Sequence, residues 1–130
     1  MTLYLSATYA RQAAMREIRQ RIHAETRHRV VASWLDQIGP AKLGPVPGQR
    51  VARQDIRDLL DASLLMLDGL EPSPTGGKHF EHGYMCALGR PVGIVGPVES
   101  VFGHLADFEW PSWDEAIAWL RSGSTAQEIA

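Results

Sequence analysis

Residues 64–95 decide the fold, and they read LLMLDGLEPSPTGGKHFEHGYMCALGRPVGIV. The segment opens with the apolar run Leu64–Leu67 and closes with a second one, Val92–Val95, and both are typical of strands buried on two faces. Between them, a loop rich in proline and glycine leads into a helical stretch that begins near Lys78 and ends at Gly89. Strand, helix and strand in this order predict a βαβ unit with parallel strands.

The rest of the chain continues this alternation. The other predicted strands are residues 3–7, 30–35 and 107–110. The other predicted helices are residues 10–25, 51–61 and 112–120, with a helical turn at 101–105. We therefore expect an α/β fold, a three-layer α/β/α sandwich around a five-stranded, mainly parallel sheet of the flavodoxin-like or Rossmann-like kind. Residues 1–121 are expected to form a single domain, and residues 122–130 a flexible C-terminal tail.

The composition narrows the possible partners and locations. The chain has 130 residues, of which 45% are apolar and 22% charged, and its formal net charge is -2. Such a charge provides no basic surface, so nucleic acid is not an expected partner. No membrane partner is expected either, because no apolar run approaches the roughly 18–20 residues of a spanning helix. The single cysteine, Cys86, excludes an internal disulfide and favours a cytoplasmic location.

Parallel strands end at one edge of a sheet, and ligands bind beyond that edge. The loops expected there are Ser6–Arg11, 36–50, Asp68–Gly77 and Gly96–His104. The 36–50 loop is rich in glycine and proline, so we expect it to be irregular and to act as a lid or binding loop.

Glu81 is the candidate nucleophile on this edge. We expect it in the first turn of its helix, beside Gly76 and Gly77, where free backbone N–H groups favour negative charge. Its carboxylate should therefore stay ionised near neutral pH. The alternative interpretation is a solvated glutamate at a helix start.

A second pattern in the same helix concerns metal binding. His79, His82 and Cys86 are spaced i, i+3, i+7 and share one face, and such a set can ligate zinc. No second segment supplies a complementary Cys-x-x-Cys or histidine-rich motif. Packing or an interface is therefore the favoured use of these side chains, and no metal is expected.

Four stretches of the chain resemble the nucleoside 2-deoxyribosyltransferase family, including its relatives that hydrolyse deoxynucleoside 5'-monophosphates. They are Leu3–Tyr9 (LYLSATY), Asp55 with Asp61–Ser63, residues 76–92 (GGKHFEHGYMCALGRPV), and Val101–Leu105 (VFGHL) ahead of the last helix. The resemblance covers about residues 2 to 120, and residues 76–84 are its most specific part.

The resemblance implies an enzyme that cleaves the N-glycosidic bond of a 2'-deoxynucleoside or its 5'-monophosphate without a cofactor. Glu81 would form a covalent glycosyl-enzyme, because an ionised carboxylate can stabilise and then capture positive charge on the anomeric carbon. Tyr4 matches a family tyrosine that orients the nucleophile, and Asp55 matches an aspartate near the leaving base. The acceptor of the sugar can be water or another base.

The remaining candidate residues are expected to bind the substrate. They are Ser6, Thr8, Tyr9, Arg11, Asp68, Thr75, Gly76, Gly77, Lys78 and His104. Thr75 occupies a position where the transferases carry an acidic residue and the monophosphate hydrolases a serine. A hydroxyl there, close to Lys78 and a helix start, favours a 5'-phosphate without deciding the question.

The chain departs from the family at the 5' end of the sugar. Where a neighbouring subunit of the family supplies asparagine or serine, this sequence has Gly103 or His104. The segment nevertheless implies a homodimer or higher homo-oligomer with shared active sites. The rival function is a nucleotide sensor that uses the same pocket without turnover.

Overall fold

The computed structural model describes residues 1–37, 45–72 and 75–123. The described strands are β1 (Thr2–Ser6), β2 (Arg29–Val30), β3 (Leu64–Asp68), β4 (Val92–Val95) and β5 (Phe108–Trp110). The described helices are α1 (Gln12–Glu25), α2 (Pro45–Asp61), α3 (Gly77–Ala87) and α4 (Trp113–Arg121). Short 3-10 helices lie at Tyr9–Arg11, Ser33–Asp36 and Val101–Leu105. In this part of the chain no helix is both long and apolar enough to cross a membrane.

The five strands form one parallel sheet. Their order across the sheet is β2-β1-β3-β4-β5, which is the order of flavodoxin-like folds. Helix α1 packs against α4 on one face, and right-handed crossovers place α2 and α3 on the other. The predicted sandwich with a parallel sheet is confirmed.

The sheet centre is apolar because helices cover it on both faces. Every residue of β3 and β4 is buried, as their apolar sequences predict. Gly93 in β4 leaves room for Trp110, since a Cβ atom at this position would lie 2.3 Å from the indole ring. The sheet is therefore a rigid support for the side chains at its carboxyl edge.

Helix α2 corrects the prediction for residues 36–50. It begins at Pro45, so the second half of the expected irregular loop is helical. Proline is compatible with the first turn of a helix, where backbone N–H groups lack a helical partner in any case. Residues 38–44 of the expected lid lie outside the described residues.

Strand β2 is shorter than predicted, and it ends at Val30. The Trp34 indole N–H donates to the Leu5 carbonyl oxygen at 2.7 Å, which a longer β2 would have bonded instead. The Ser33 backbone N–H turns away and donates to Asp58 Oδ2 at 2.8 Å. The side chains of Trp34 and Asp58 thus take the hydrogen bonds that would have continued β2 along β1.

Helix α4 confirms the predicted start. Ser112 Oγ accepts a hydrogen bond from the Glu115 backbone N–H at 3.3 Å, and the helix ends at Arg121. Most of the expected tail, residues 124–130, lies outside the described residues.

Candidate active site

A cavity of about 260 Å³ opens at the carboxyl edge of the sheet. Its polar lining includes Tyr4, Asp55, Thr75 and Glu81. These side chains come from β1, α2, the loop before α3 and α3 itself. The structure therefore brings together all three candidate catalytic residues and four of the candidate substrate ligands, Tyr9, Thr75, Gly77 and Lys78.

Two hydroxyl groups hold the Glu81 carboxyl group. The Tyr4 hydroxyl donates to Glu81 Oε2, and Ser6 Oγ donates to Glu81 Oε1 at 2.8 Å. Tyr4 and Ser6 are two residues apart on β1, and alternate strand residues project to the same face. The strand thus presents both donors to α3.

The position of Glu81 on α3 corrects a prediction. The helix begins at Gly77, so Glu81 lies in its second turn and no acidic residue lies in its first. Burial raises the pKa of Glu81 to about 7, while the hydrogen bonds from Tyr4 and Ser6 lower it and the charge of Asp55 raises it. The expected place of Glu81 in the first helical turn is therefore wrong, and burial brings its pKa close to neutral pH.

Asp55 is the second carboxyl group of the cavity. Burial, and then the negative charge of Asp58, raise the pKa of Asp55 to about 6. Its Oδ1 atom is buried and has no hydrogen-bond partner among the described residues. Leaving such an atom unpaired costs about 1–3 kcal/mol, and a ligand with an N–H or O–H donor would recover that free energy.

Aromatic and aliphatic side chains form the other walls. The rings of Tyr9 and Trp34 meet edge to face with their centroids 5.7 Å apart, and both line the cavity with Phe80 and Ile56. Trp34 is 5% exposed, and its indole N–H is already bonded, so its ring is fixed in place. Flat, rigid walls of this kind suit a planar ring.

Part of this lining was missed in the sequence. Ile56, Phe80 and Ala52 line the cavity but are not among the site residues predicted from the sequence. Trp34 also lines the cavity and is likewise absent from the predicted site residues. Ile56 directly follows Asp55, and Phe80 directly precedes Glu81. This adjacency to the acidic candidates was the sequence signal that could have assigned them to the site.

Lys78 lines the cavity, and its ammonium is engaged by protein oxygens. Its ammonium donates to the carbonyl oxygens of Asp68 at 3.0 Å and Glu71 at 2.7 Å, and to the carboxylate of Glu99. The side chain is 1% exposed. An ammonium has three N–H groups, and here protein oxygens accept from the ammonium at three sites. Lys78 therefore ties the start of α3 to the loops after β3 and β4.

Arg11 and Asp68 also have internal roles. Arg11 donates to Asp68 through Nε at 2.9 Å and a terminal nitrogen at 3.2 Å, and Trp113 Nε1 donates to the same carboxylate at 2.8 Å. Asp68 is fully buried. Neither residue lines the cavity. They form an ion pair in which Asp68 is buried and Arg11 is partly exposed, and their binding to substrate stays a prediction.

The remaining substrate-binding candidates divide in two groups. Tyr9, Thr75 and Gly77 line the cavity. Ser6, Thr8, Gly76 and His104 do not. The Ser6 hydroxyl donates to Glu81, and the Thr8 hydroxyl donates to Glu71 at 3.3 Å. His104 is exposed on the 3-10 helix Val101–Leu105.

A second, apolar groove of about 410 Å³ lies beside the cavity. It is lined by His79, Phe80, His82, Gly83, Cys86, Phe102 and Leu105. His82 Nε2 is buried and lacks a hydrogen-bond partner in the described part of the chain. Among residues 1–37, 45–72 and 75–123, no three His, Cys, Asp or Glu side chains are grouped so as to hold a metal ion.

No protein-family model and no curated protein sequence matches this chain. Solved structures do share its fold. A 2-deoxyribosyltransferase from Bacillus psychrosaccharolyticus matches with a TM-score of 0.71 at 14% identity, over 90% of this chain and 90% of its own. A conserved protein from Enterococcus faecalis V583 matches with a TM-score of 0.73 at 12% identity, over 95% of this chain and 99% of its own. At this identity the likeness establishes the fold, and it agrees with the fold of the family that the sequence resembles.

Proposed function

We propose that this protein is a nucleoside 2-deoxyribosyltransferase-like enzyme that cleaves the N-glycosidic bond of a 2'-deoxynucleoside or its 5'-monophosphate. The observation that supports this best is the Glu81 carboxyl group, which lines the cavity, is held by Tyr4 and Ser6, and shares the cavity with Asp55. The shared fold with a 2-deoxyribosyltransferase adds support.

The first chemical step uses both carboxyl groups. An oxygen of ionised Glu81 forms a bond to C1' of the sugar while the bond from C1' to the base nitrogen breaks. The electron pair of that bond goes to the base, and protonated Asp55 donates a proton to a ring nitrogen. Burial, followed by the charge of Glu81, raises the pKa of Tyr4 well above its ordinary value, so its hydroxyl remains a hydrogen-bond donor throughout.

The second step releases the sugar. Water or another base attacks C1' from the face that the first base left, and Asp55 accepts the proton of the attacking group. Glu81 departs as a carboxylate. Two displacements at one carbon give overall retention. Hydrolysis and transfer share the same glycosyl-enzyme and differ only in the acceptor.

The 5' end of the sugar is proposed to lie near Thr75 and the start of α3 at Gly77, both of which line the cavity. A hydroxyl and a helix N-terminus can bind a phosphate. Since the ammonium of Lys78 is occupied by protein oxygens, we propose that either a 5'-hydroxyl or a 5'-phosphate is accepted.

Incubation with each deoxynucleoside and deoxynucleoside monophosphate, alone and with a second free base, followed by chromatography, tests the function. The proposal expects release or exchange of a base. Tight nucleotide binding without release would instead support the rival function, a nucleotide sensor on the same fold.

The pH dependence of kcat/KM should be bell-shaped, with its maximum between about pH 6 and 7. On the acid side, protonation of Glu81 removes the nucleophile. On the alkaline side, ionisation of Asp55 removes the proton donor. The two limbs belong to the coupled pair, because the groups interact. Initial rates measured from about pH 4.5 to 9 give the profile. A rate that climbs steadily to the alkaline end would contradict these roles.

We also propose that the enzyme works as a homodimer or higher homo-oligomer in the cytoplasm. Val101, Phe102 and Leu105 are 71%, 66% and 63% exposed, a large apolar surface for one short helix. Phe102 and Leu105 line the apolar groove, which shares Phe80 with the cavity, so a second copy on this surface would lie beside the site. Sedimentation of the wild type and Phe102→Glu tests this, since the variant should dissociate to monomers. A wild type that sediments as a monomer under the conditions in which it releases base would contradict the proposed oligomer.

A further inference from the structure

We propose that Ser6 is a positioning residue: its hydroxyl favours the ionised, reactive form of the nucleophile Glu81 without touching the substrate. This inference rests on the proposed function for its kinetic consequence. It replaces the sequence-based expectation that Ser6 binds the substrate.

The contacts of Ser6 point away from a substrate role. Its Oγ donates to Glu81 Oε1 at 2.8 Å, and the residue is fully buried. Ser6 lies on β1 opposite Leu67 of β3 and does not line the cavity, whereas Tyr4 does. A bound substrate would thus meet Tyr4 and Glu81, with Ser6 enclosed behind them.

The hydroxyl favours the ionised form of Glu81. An ionised carboxylate accepts hydrogen bonds at both oxygens, and here Tyr4 serves one and Ser6 the other. A protonated carboxyl group turns one oxygen into a donor, so one of these two hydroxyl bonds is weakened. Both hydroxyls therefore oppose the burial that raises the pKa of Glu81.

Without the Ser6 hydroxyl, only the Tyr4 hydrogen bond would oppose the effect of burial on the pKa of Glu81. Loss of one hydrogen bond to a charged group should raise the pKa of Glu81 by about one unit, which is about a tenfold change in the equilibrium between its two forms. Base release near the pH optimum should then fall about five- to tenfold. KM should stay within about twofold, because no substrate contact is lost.

The titration of Glu81 can be read directly by NMR of protein labelled with ¹³C in the glutamate carboxyl groups. The Glu81 signal is the one that Glu81→Gln removes. In Ser6→Ala its midpoint should rise by about one unit, and in Ser6→Cys, whose thiol is a weaker donor of similar size, by less. Ser63→Ala is the matched control, because Ser63 Oγ bonds the Thr2 backbone at the other end of β1 and lies away from the cavity. It should leave the midpoint unchanged.

The outcomes separate this inference from the proposed function. An unchanged Glu81 midpoint in Ser6→Ala, or a KM raised well beyond twofold, would overturn the positioning role. A wild type that releases no base would overturn the proposed function, while the NMR titration would still decide the role of Ser6. If Ser6→Ala does not fold, the shift in Ser6→Cys decides it in the same way.

Discussion

Glu81→Gln should lower kcat for base release by at least about 1,000-fold. The amide has the shape of the carboxyl group, and its oxygen can still accept from the Tyr4 hydroxyl, but it cannot attack C1' as an anion. The position of the side chain is therefore kept while the reaction is removed. Chromatographic assay of base release under saturating substrate measures the effect. A variant that works within about tenfold of wild type would contradict the role of Glu81 as nucleophile.

Unfolding measurements provide the control that the variant is folded. Because burial raises the pKa of Glu81 to about 7, the folded wild type favours the protonated carboxyl group. The wild type then loses stability as the pH rises from the ordinary glutamate pKa through 7, and the neutral amide does not. Glu81→Gln should thus be more stable than wild type at about pH 8, by up to about 3 kcal/mol, and the difference should disappear in acid.

Asp55→Asn should lower kcat/KM by about 100-fold with natural bases as leaving groups. Asparagine preserves the size of the side chain but cannot give a proton to the departing ring nitrogen. A deoxyriboside with a nitrophenolate leaving group needs no such proton, so the variant should cleave it at nearly the wild-type rate. The alkaline limb of the pH profile should also disappear, since that limb reports ionisation of Asp55.

Asp61→Asn is the matched control for this prediction. Asp61 ends the same helix α2, is exposed, and does not line the cavity. Its replacement should therefore leave kcat/KM with either leaving group, and the pH profile, unchanged. Equal losses with both leaving groups in Asp55→Asn would show that Asp55 holds the substrate without donating a proton.

The fold was predictable because its main signals are local. The apolar runs Leu64–Leu67 and Val92–Val95 can only be buried if helices cover both faces of the sheet, and that requirement leads to parallel strands. One boundary that was predicted wrongly depends on a contact distant in sequence. The end of β2 is set by the Trp34 indole on Leu5, and no local pattern reports such a bond.

The sequence and the family resemblance predicted the three candidate catalytic residues, but they predicted only part of the cavity lining and little of its electrostatics. Tyr4 and Asp55 were assigned through the family resemblance, and with Glu81 they line one cavity at the carboxyl edge of the sheet. The position of Lys78 at a helix start suggested that it binds a phosphate. In the structure its ammonium donates instead to Glu99 and to two backbone carbonyl groups. Likewise, the raised pKa of Glu81 comes from burial, which is a property of the packed structure.

The covalent bond between Glu81 and C1' of the sugar can be sought directly by rapid quenching of the enzyme during turnover, followed by intact mass measurement and peptide mapping. We expect a mass increase of one 2-deoxyribosyl group, or its 5-phosphate, on the peptide that contains Glu81, and no increase in Glu81→Gln. An enzyme that releases base while carrying no sugar, or that carries the sugar on another residue, would contradict this mechanism.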